Sequence, residues 1–325
     1  MDVPVIRISR VIACCKALRS GLTCQSTSDE NGGTMKWSLA GAMIDALELC
    51  ELAQVTEEAG FDGIAMPDSV FYPEQVSAPY PYTPDGKRMW APETPMPDPF
   101  IAMTAMAAVT SRIQFYTNVF KLPLRDPLLT AKQVSTMAVM SGNRIAIGVG
   151  LSWIPEEFTF TGTEMRTRGA RTDEAIEIIK AVCAGRGPQW VEYHGKHYDF
   201  DALMISPAPE IPVPIYIGGH SEPGLRRAAR LADGWMSVNT TKAELASAID
   251  RLTKLRAEFG RADVPFEINV SPTDVRDIDG YRELEELGVT EIRVSPWYRY
   301  GVDPGDRQGR LDSIRQFADE VISQY

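Results

Sequence analysis

From residue 36 to the end of the chain, short apolar runs alternate eight times with stretches of helical periodicity, and few folds accept that order. The apolar runs span 36–41, 63–66, 113–118, 144–149, 214–217, 234–238, 267–270 and 291–294. The principal helical stretches between and after them span 44–59, 100–110, 127–140, 167–184, 223–231, 242–259, 279–287 and 309–324. Strand, helix, strand in sequence makes parallel strands joined by crossovers. Eight such units predict an α/β protein of the (β/α)8 TIM-barrel type, and 325 residues suit one such domain. A doubly wound sheet is the competing architecture. It usually carries GxGxxG after its first strand, whereas Gly41-Ala42-Met43 stands there.

Two insertions interrupt the alternation. After the second strand, 67–97 is too rich in proline and tyrosine for a strand or helix and reads as an elaborated loop. After the fourth strand come a short helix, 155–160, and, beyond the long helix, a hairpin over 190–201 turning at Gly195.

Bulk properties narrow the function. A formal charge of −11 opposes nucleic-acid phosphates and anionic membranes, and no apolar run reaches membrane-spanning length. The five cysteines show no CxxC spacing and read as free thiols of a reducing, cytoplasmic setting. His194 and His197 stand three apart in an extended stretch with no third ligand, so no metal is expected. Residues 1–34 lack the long apolar core of a secretory signal. They are expected to be a poorly ordered extension or to precede a true start at Met35, leaving 35–325 as a single catalytic barrel.

A barrel of this kind keeps its chemistry on loops at the C-terminal strand ends. Asp68 follows the second strand and reads as a turn aspartate or a ligand contact. Thr117-Asn118-Val119 is a polar step ending the third, either a loop cap or a ligand-facing edge. Gly148 and Gly150 end the fourth and leave room for a flat ring, with Ser152, Trp153, Glu156 and Glu157 following. Gly218, Gly219 and His220 end the fifth, just before a helix whose N-terminus favours an anion. Arg226 and Arg227, early in that helix, are expected to add charge, and a plain tight turn is the alternative.

Taken in order, these residues resemble the bacterial luciferase-like superfamily of flavin- and deazaflavin-dependent oxidoreductases. The likeness runs through nearly all of 35–325. It rests on GFDGIAMPD (60–68), DPFIAMTAMAAVTSRIQFYTNV (98–119), LPLRDPLLTAKQ (122–133), SGNRIAIGVGLSW (141–153), RTDEAIEIIK (171–180), PVPIYIGGHS (212–221) and RRAARLADGW (226–235). The resemblance implies a luciferase-like barrel with a cofactor at its C-terminal mouth. It places Asn118-Val119 at the bulge behind the isoalloxazine ring, where deazaflavin members have a non-prolyl cis peptide. It places Gly150, Leu151 and Ser152 along the cofactor, Gly218, Gly219 and His220 at its phosphate, and Asp68 near it.

The chain also departs from the family pattern. Deazaflavin members often place a histidine directly after that aspartate, and here Ser69 stands instead, so any proton donor falls to His220, Glu156 or Glu157. Ser152 and Asn143 occupy positions where many relatives have glycine. The MSGNR…GVGLSW form is similar to the F420-dependent branch, which implies coenzyme F420 and hydride transfer. An FMN-dependent monooxygenase using O₂ is the alternative, and a barrel that binds a ligand without catalysis is a second, because a fold does not fix a function. A small-molecule substrate and a homodimer are expected, with no nucleic acid or membrane partner. Phe71, Tyr72, Tyr80, Tyr82 and Trp90 of the long loop suggest either a bulky apolar substrate or an oligomer contact.

Overall fold

Parallel strands buried on both faces need helices outside and a filled interior. A computed structural model of the chain, which describes residues 6–8 and 35–325, has both. Its strands are β1 (Ile6–Ile8), β2 (Lys36–Ala40), β3 (Gly63–Met66), β4 (Gln114–Thr117), β5 (Phe120–Lys121), β6 (Ile145–Gly150), β7 (Trp190–His194), β8 (Asp199–Met204), β9 (Ile215–Gly218), β10 (Gly234–Met236), β11 (Glu267–Val270) and β12 (Glu291–Val294). Eight of them run parallel in the order β4-β3-β2-β12-β11-β10-β9-β6, and β4 pairs back onto β6 to close the barrel. The eight expected strands are therefore all present, within a few residues of their expected bounds.

The closing seam is irregular. Tyr116 faces Ala146, yet Phe120 on β5 faces Val149. Three residues, Thr117, Asn118 and Val119, thus stand opposite two, Ile147 and Gly148, which makes a one-residue bulge. The Asn118–Val119 peptide is cis, as the resemblance implied.

Local sequence explains where the helices begin. Asp98 and Asp126 each precede a proline, and each side chain accepts from the two amides that follow the proline, a strong helix start. Thr241 and Glu244 form a capping box on the Lys242–Glu258 helix. The first helix starts only at Leu49, because Asp45 ties Leu47 N–H into a turn at 2.9 Å and delays it. Entry into β4 is fixed by Glu57, whose carboxylate accepts the amides of Ser111, Arg112 and Ile113. Burial alone would raise its pKa, but those amides and the Ser111 hydroxyl lower it to about 2.

The barrel interior holds more polar atoms than the apolar runs suggested. Tyr116 OH donates to Glu291 Oε1 at 2.7 Å and accepts from Asn269 Nδ2 at 2.8 Å. Arg293 donates to Asn269 Oδ1 at 2.6 Å and to the Ser237 carbonyl at 2.7 Å, and Ser38 Oγ donates to Glu291. Burial pushes the Glu291 carboxyl and the Tyr116 phenol upward, so both keep their protons more tightly than in water. Tyr116 also packs with Ala65, Ala146, Tyr216 and Met236, and Val119 lies against this cluster.

The hairpin insertion forms as expected, β7 antiparallel to β8, and β1 runs parallel beside β7. Apart from that strand, the expectation for residues 1–34 falls outside the described residues. Among the described residues, Cys50 and Cys183 are free thiols, and burial pushes Cys183 up to about 12. No helix among them is long and apolar enough to cross a membrane.

Candidate active site

The bulge at the seam is the centre of the mouth, and two glycines make it possible. A Cβ on Gly150 would lie 2.3 Å from Val119 Cγ2, and one on Gly218 would lie 2.7 Å from Val119 Cγ1. Val119 is thus wedged between the ends of β6 and β9. A Cβ on Gly148 would stand 2.0 Å from the Thr117 carbonyl oxygen, so backbone approaches backbone there. Thr117 Oγ1 donates to the Gly148 carbonyl at 2.8 Å and holds the two strands at that distance. The Asn118 amide group takes no hydrogen bond from the described residues, although its N–H donates to the Met66 carbonyl at 2.7 Å.

Two buried ion pairs brace this bulge. Asp68 lies at the end of β3 with its side chain almost wholly buried. Arg125 grips it in a fork, NH1 to Oδ2 at 2.7 Å and NH2 to Oδ1 at 2.8 Å, and the Lys121 amide donates to Oδ2 at 2.8 Å. Arg125 also lies over the Phe120 ring, 4.1 Å from its centre. On the other side, Lys121 Nζ meets Glu157 Oε1 at 2.5 Å, and Ser152 Oγ donates to Glu157 Oε2 at 2.6 Å. The Glu157 side chain is fully buried and that of Lys121 is 12% exposed. The β4–β5 bulge and the loop after β6 are therefore locked to each other and to the end of β3. Ser152 and Asn143, the two departures from glycine, both have positive φ, at 58° and 65°.

The turn after β9 is open. Gly219 has φ 120°, and a Cβ there would meet nothing within 4 Å. Ser221 caps the Glu222–Leu231 helix by accepting from Gly224 N at 3.4 Å. Trp235 Nε1 donates to the Gly219 carbonyl at 2.9 Å and fixes the turn against the buried indole. Desolvation lowers the His220 pKa below the ordinary imidazole value, opposed by the Glu244 charge.

The family model described as luciferase-like monooxygenase matches residues 19–276. This chain belongs to the luciferase-like monooxygenase family. It is 40% identical over 292 residues to an uncharacterised protein of Mycobacterium tuberculosis, 89% of this chain and 99% of that one. It is 28% identical over 280 residues to an F420-dependent glucose-6-phosphate dehydrogenase of Nakamurella multipartita, 82% of this chain and 75% of the relative. A solved F420-dependent secondary alcohol dehydrogenase, in complex with an F420-acetone adduct, superposes over 90% of this chain and 99% of its own with TM-score 0.68 at 16% identity, which speaks for the fold.

As a luciferase-like protein the chain is an oxidoreductase, and its fold gathers most of the residues expected at the mouth. Asn118, Val119, Gly150, Leu151 and Ser152 meet at the seam. Gly218 serves the wedge rather than the turn, and Gly219 is the open position. Asp68 spends both oxygens on Arg125 and Lys121, so its bonds position the bulge. Glu157 likewise has both oxygens engaged, while Glu156 accepts from Ser77 N at 2.9 Å and ties down the long loop. Arg226 and Arg227 turn away from the mouth: Arg227 pairs with Asp173 at 2.5 Å, and Arg226 reaches Glu258 and lies over Phe259. His194 Nδ1 bonds Asp199 at 2.6 Å. Sequence reasoning missed Lys121 and Arg125. Their signal is two cations set in an otherwise apolar run, VFKLPLR, which need buried partners.

At the rim, Trp153 from the loop after β6 meets the long loop. Its ring centre lies 5.3 Å from Tyr80, which also contacts Trp90 at 5.3 Å and Tyr82 at 5.5 Å.

Proposed function

We propose that the barrel of residues 35–325 transfers hydride between coenzyme F420 and a small organic substrate at this mouth. The observation that carries the reading is the bulge at Asn118–Val119, whose Val119 is wedged between Gly150 and Gly218. Glycine on both sides of it adds no side chain to the mouth, which suits one face of a tricyclic ring. The seven ordered motifs and the F420-dependent relatives support the same choice over FMN.

Each residue then has a task. Val119 and its peptide support the ring. Gly150, Leu151 and Ser152 border it. Gly218 keeps the wedge in place, and Gly219 and His220 give the phosphate an amide-lined turn at a helix N-terminus. Asp68 acts through Arg125 and the Lys121 amide. Asn118 offers an unengaged amide to the ring edge. Of the three proton-donor candidates, Glu157 is committed to Lys121 and Ser152, Glu156 to the loop, and His220 keeps both ring nitrogens unengaged among the described residues. Bound F420 supplies a two-electron hydride carrier, and the protein supplies its seat and its orientation.

A visible-absorbance titration with F420 and with FMN tests the reading. Saturable F420 binding is expected. Tight FMN binding without F420 binding reverses the cofactor choice, and binding of neither sinks the redox reading.

The homodimer is proposed on separate grounds. The Pro99–Ala108 helix is apolar all round, yet one side faces solvent: Ile101 is 74% exposed, and Ala105, Ala108 and Val109 follow on the same face. Leu129, at 68%, and Met140, at 66%, extend the stripe on the neighbouring Pro127–Met140 helix. Light scattering on a sizing column is expected to give twice the chain mass of 36.0 kDa, and Ile101→Glu to give the monomer. A monomeric wild type refutes this interface.

A further inference from the structure

Tyr80 sits at the hub of an aromatic cluster on the rim. Its ring stands edge-on to Trp90 at 86° and crosses Trp153 at 60° and Tyr82 at 68°. Trp153 belongs to the same loop as Ser152, so the cluster grows from the edge of the ring seat. The long loop that carries Tyr80 and Trp90 is pinned to that side by the Ser77 amide on Glu156 and by Phe71 against Phe160, 5.9 Å apart. The Tyr80, Trp90 and Trp153 rings are only partly buried, and the Tyr80 hydroxyl and the two indole N–H groups find no partner among the described residues. Half-covered rings with unused donors make a surface that stacks on a flat apolar molecule and offers it hydrogen bonds.

The charges around this wall point the same way. Arg125 is forked onto Asp68, and Lys121 is closed onto Glu157. Arg88 lies flat on the Tyr72 ring, 3.3 Å from its centre, and donates to the Pro73 carbonyl at 2.8 Å. Arg125 and Lys121 are thus spent on carboxylates and Arg88 on a ring and a carbonyl, so these three cations offer less to a phosphate ester than unpaired ones would.

We infer that the Tyr80–Trp90–Trp153 wall takes an uncharged, planar apolar substrate carrying a hydrogen-bond acceptor, and not a sugar phosphate of the kind named for the Nakamurella relative. The inference rests on the mouth being the reaction site proposed above.

Calorimetric titration of the full-length protein, with and without F420, tests it using two probes: coumarin, a neutral planar lactone, and glucose 6-phosphate. Coumarin is expected to bind the more tightly. Tyr80→Ala and Trp90→Ala are each expected to weaken it roughly ten-fold, as loss of an aromatic contact does, while Tyr80→Phe keeps the ring and the stacking. Glucose 6-phosphate binding more tightly than coumarin, or coumarin binding unchanged in both alanine variants, overturns the inference. F420 binding is read separately by its absorbance. A protein that binds coumarin through Tyr80 but takes neither F420 nor FMN loses the redox reading and keeps this one. A protein that takes F420 but not coumarin does the reverse.

Discussion

Gly218→Val abolishes most cofactor binding while the barrel stays folded; this is the expected result of filling the space on which Val119 depends. The new side chain begins 2.7 Å from Val119 Cγ1, so the wedge has to move. Overpacking costs about 1–3 kcal/mol. Because the displaced element is the proposed ring seat, that cost is expected to fall on binding and to raise Kd by roughly 10–100-fold. Absorbance titration reads the loss, and circular dichroism shows the retained fold. Combining Gly218→Ala with Val119→Ala removes the colliding methyl groups and restores part of the affinity. Gly148→Ala behaves differently. Its Cβ meets a backbone oxygen at 2.0 Å, which no rotamer change relieves, so stability falls along with binding. Wild-type affinity in Gly218→Val refutes the seat.

Glu157→Ala has the largest expected effect on stability. It leaves the Lys121 ammonium, 12% exposed, without its counter-charge, and it frees Ser152. Removing one partner of a buried pair costs about 3–5 kcal/mol, and a chain of this size then melts roughly 4–7 °C lower. Glu157→Gln keeps an acceptor for both neighbours and loses less. Glu156→Ala, which gives up a contact with an exposed loop amide, moves the melting point by much less still. Differential scanning calorimetry distinguishes the three, and a Glu157→Ala protein within 1 °C of wild type contradicts the brace.

The barrel itself was legible in the sequence because parallel strands covered on both faces read as unbroken apolar runs, and Asp-Pro starts announce the helices. The bounds of β3, β11 and β12 match their apolar runs to the residue. Strand β5 was not legible. It is two residues long, follows the bulge without a turn signal, and exists only because Phe120 and Lys121 find Val149 and Gly150 on β6. Arg226 and Arg227 misled for a geometric reason. Residues near the start of a helix share its N-terminal charge, but their side chains point outward, toward Asp173, Glu222 and Glu258. The polar interior escaped notice because its members lie far apart: Tyr116 and Glu291 are separated by 175 positions, and only the short strand EIRV hinted at charge turned inward. Glu157 read as a candidate proton donor and not as half of an ion pair, since its partner Lys121 stands 36 residues earlier.

The three-against-two mismatch between Thr117–Val119 and Ile147–Gly148 separates two demands on the same stretch of chain. Loss of a single residue there would let the ladder run unbroken from Phe115 to Lys121 and give a better-closed cylinder with nowhere to rest a ring. Folding thus sets no requirement for that extra residue. Its presence, and not the barrel, is the part of the architecture that the proposed ring seat accounts for.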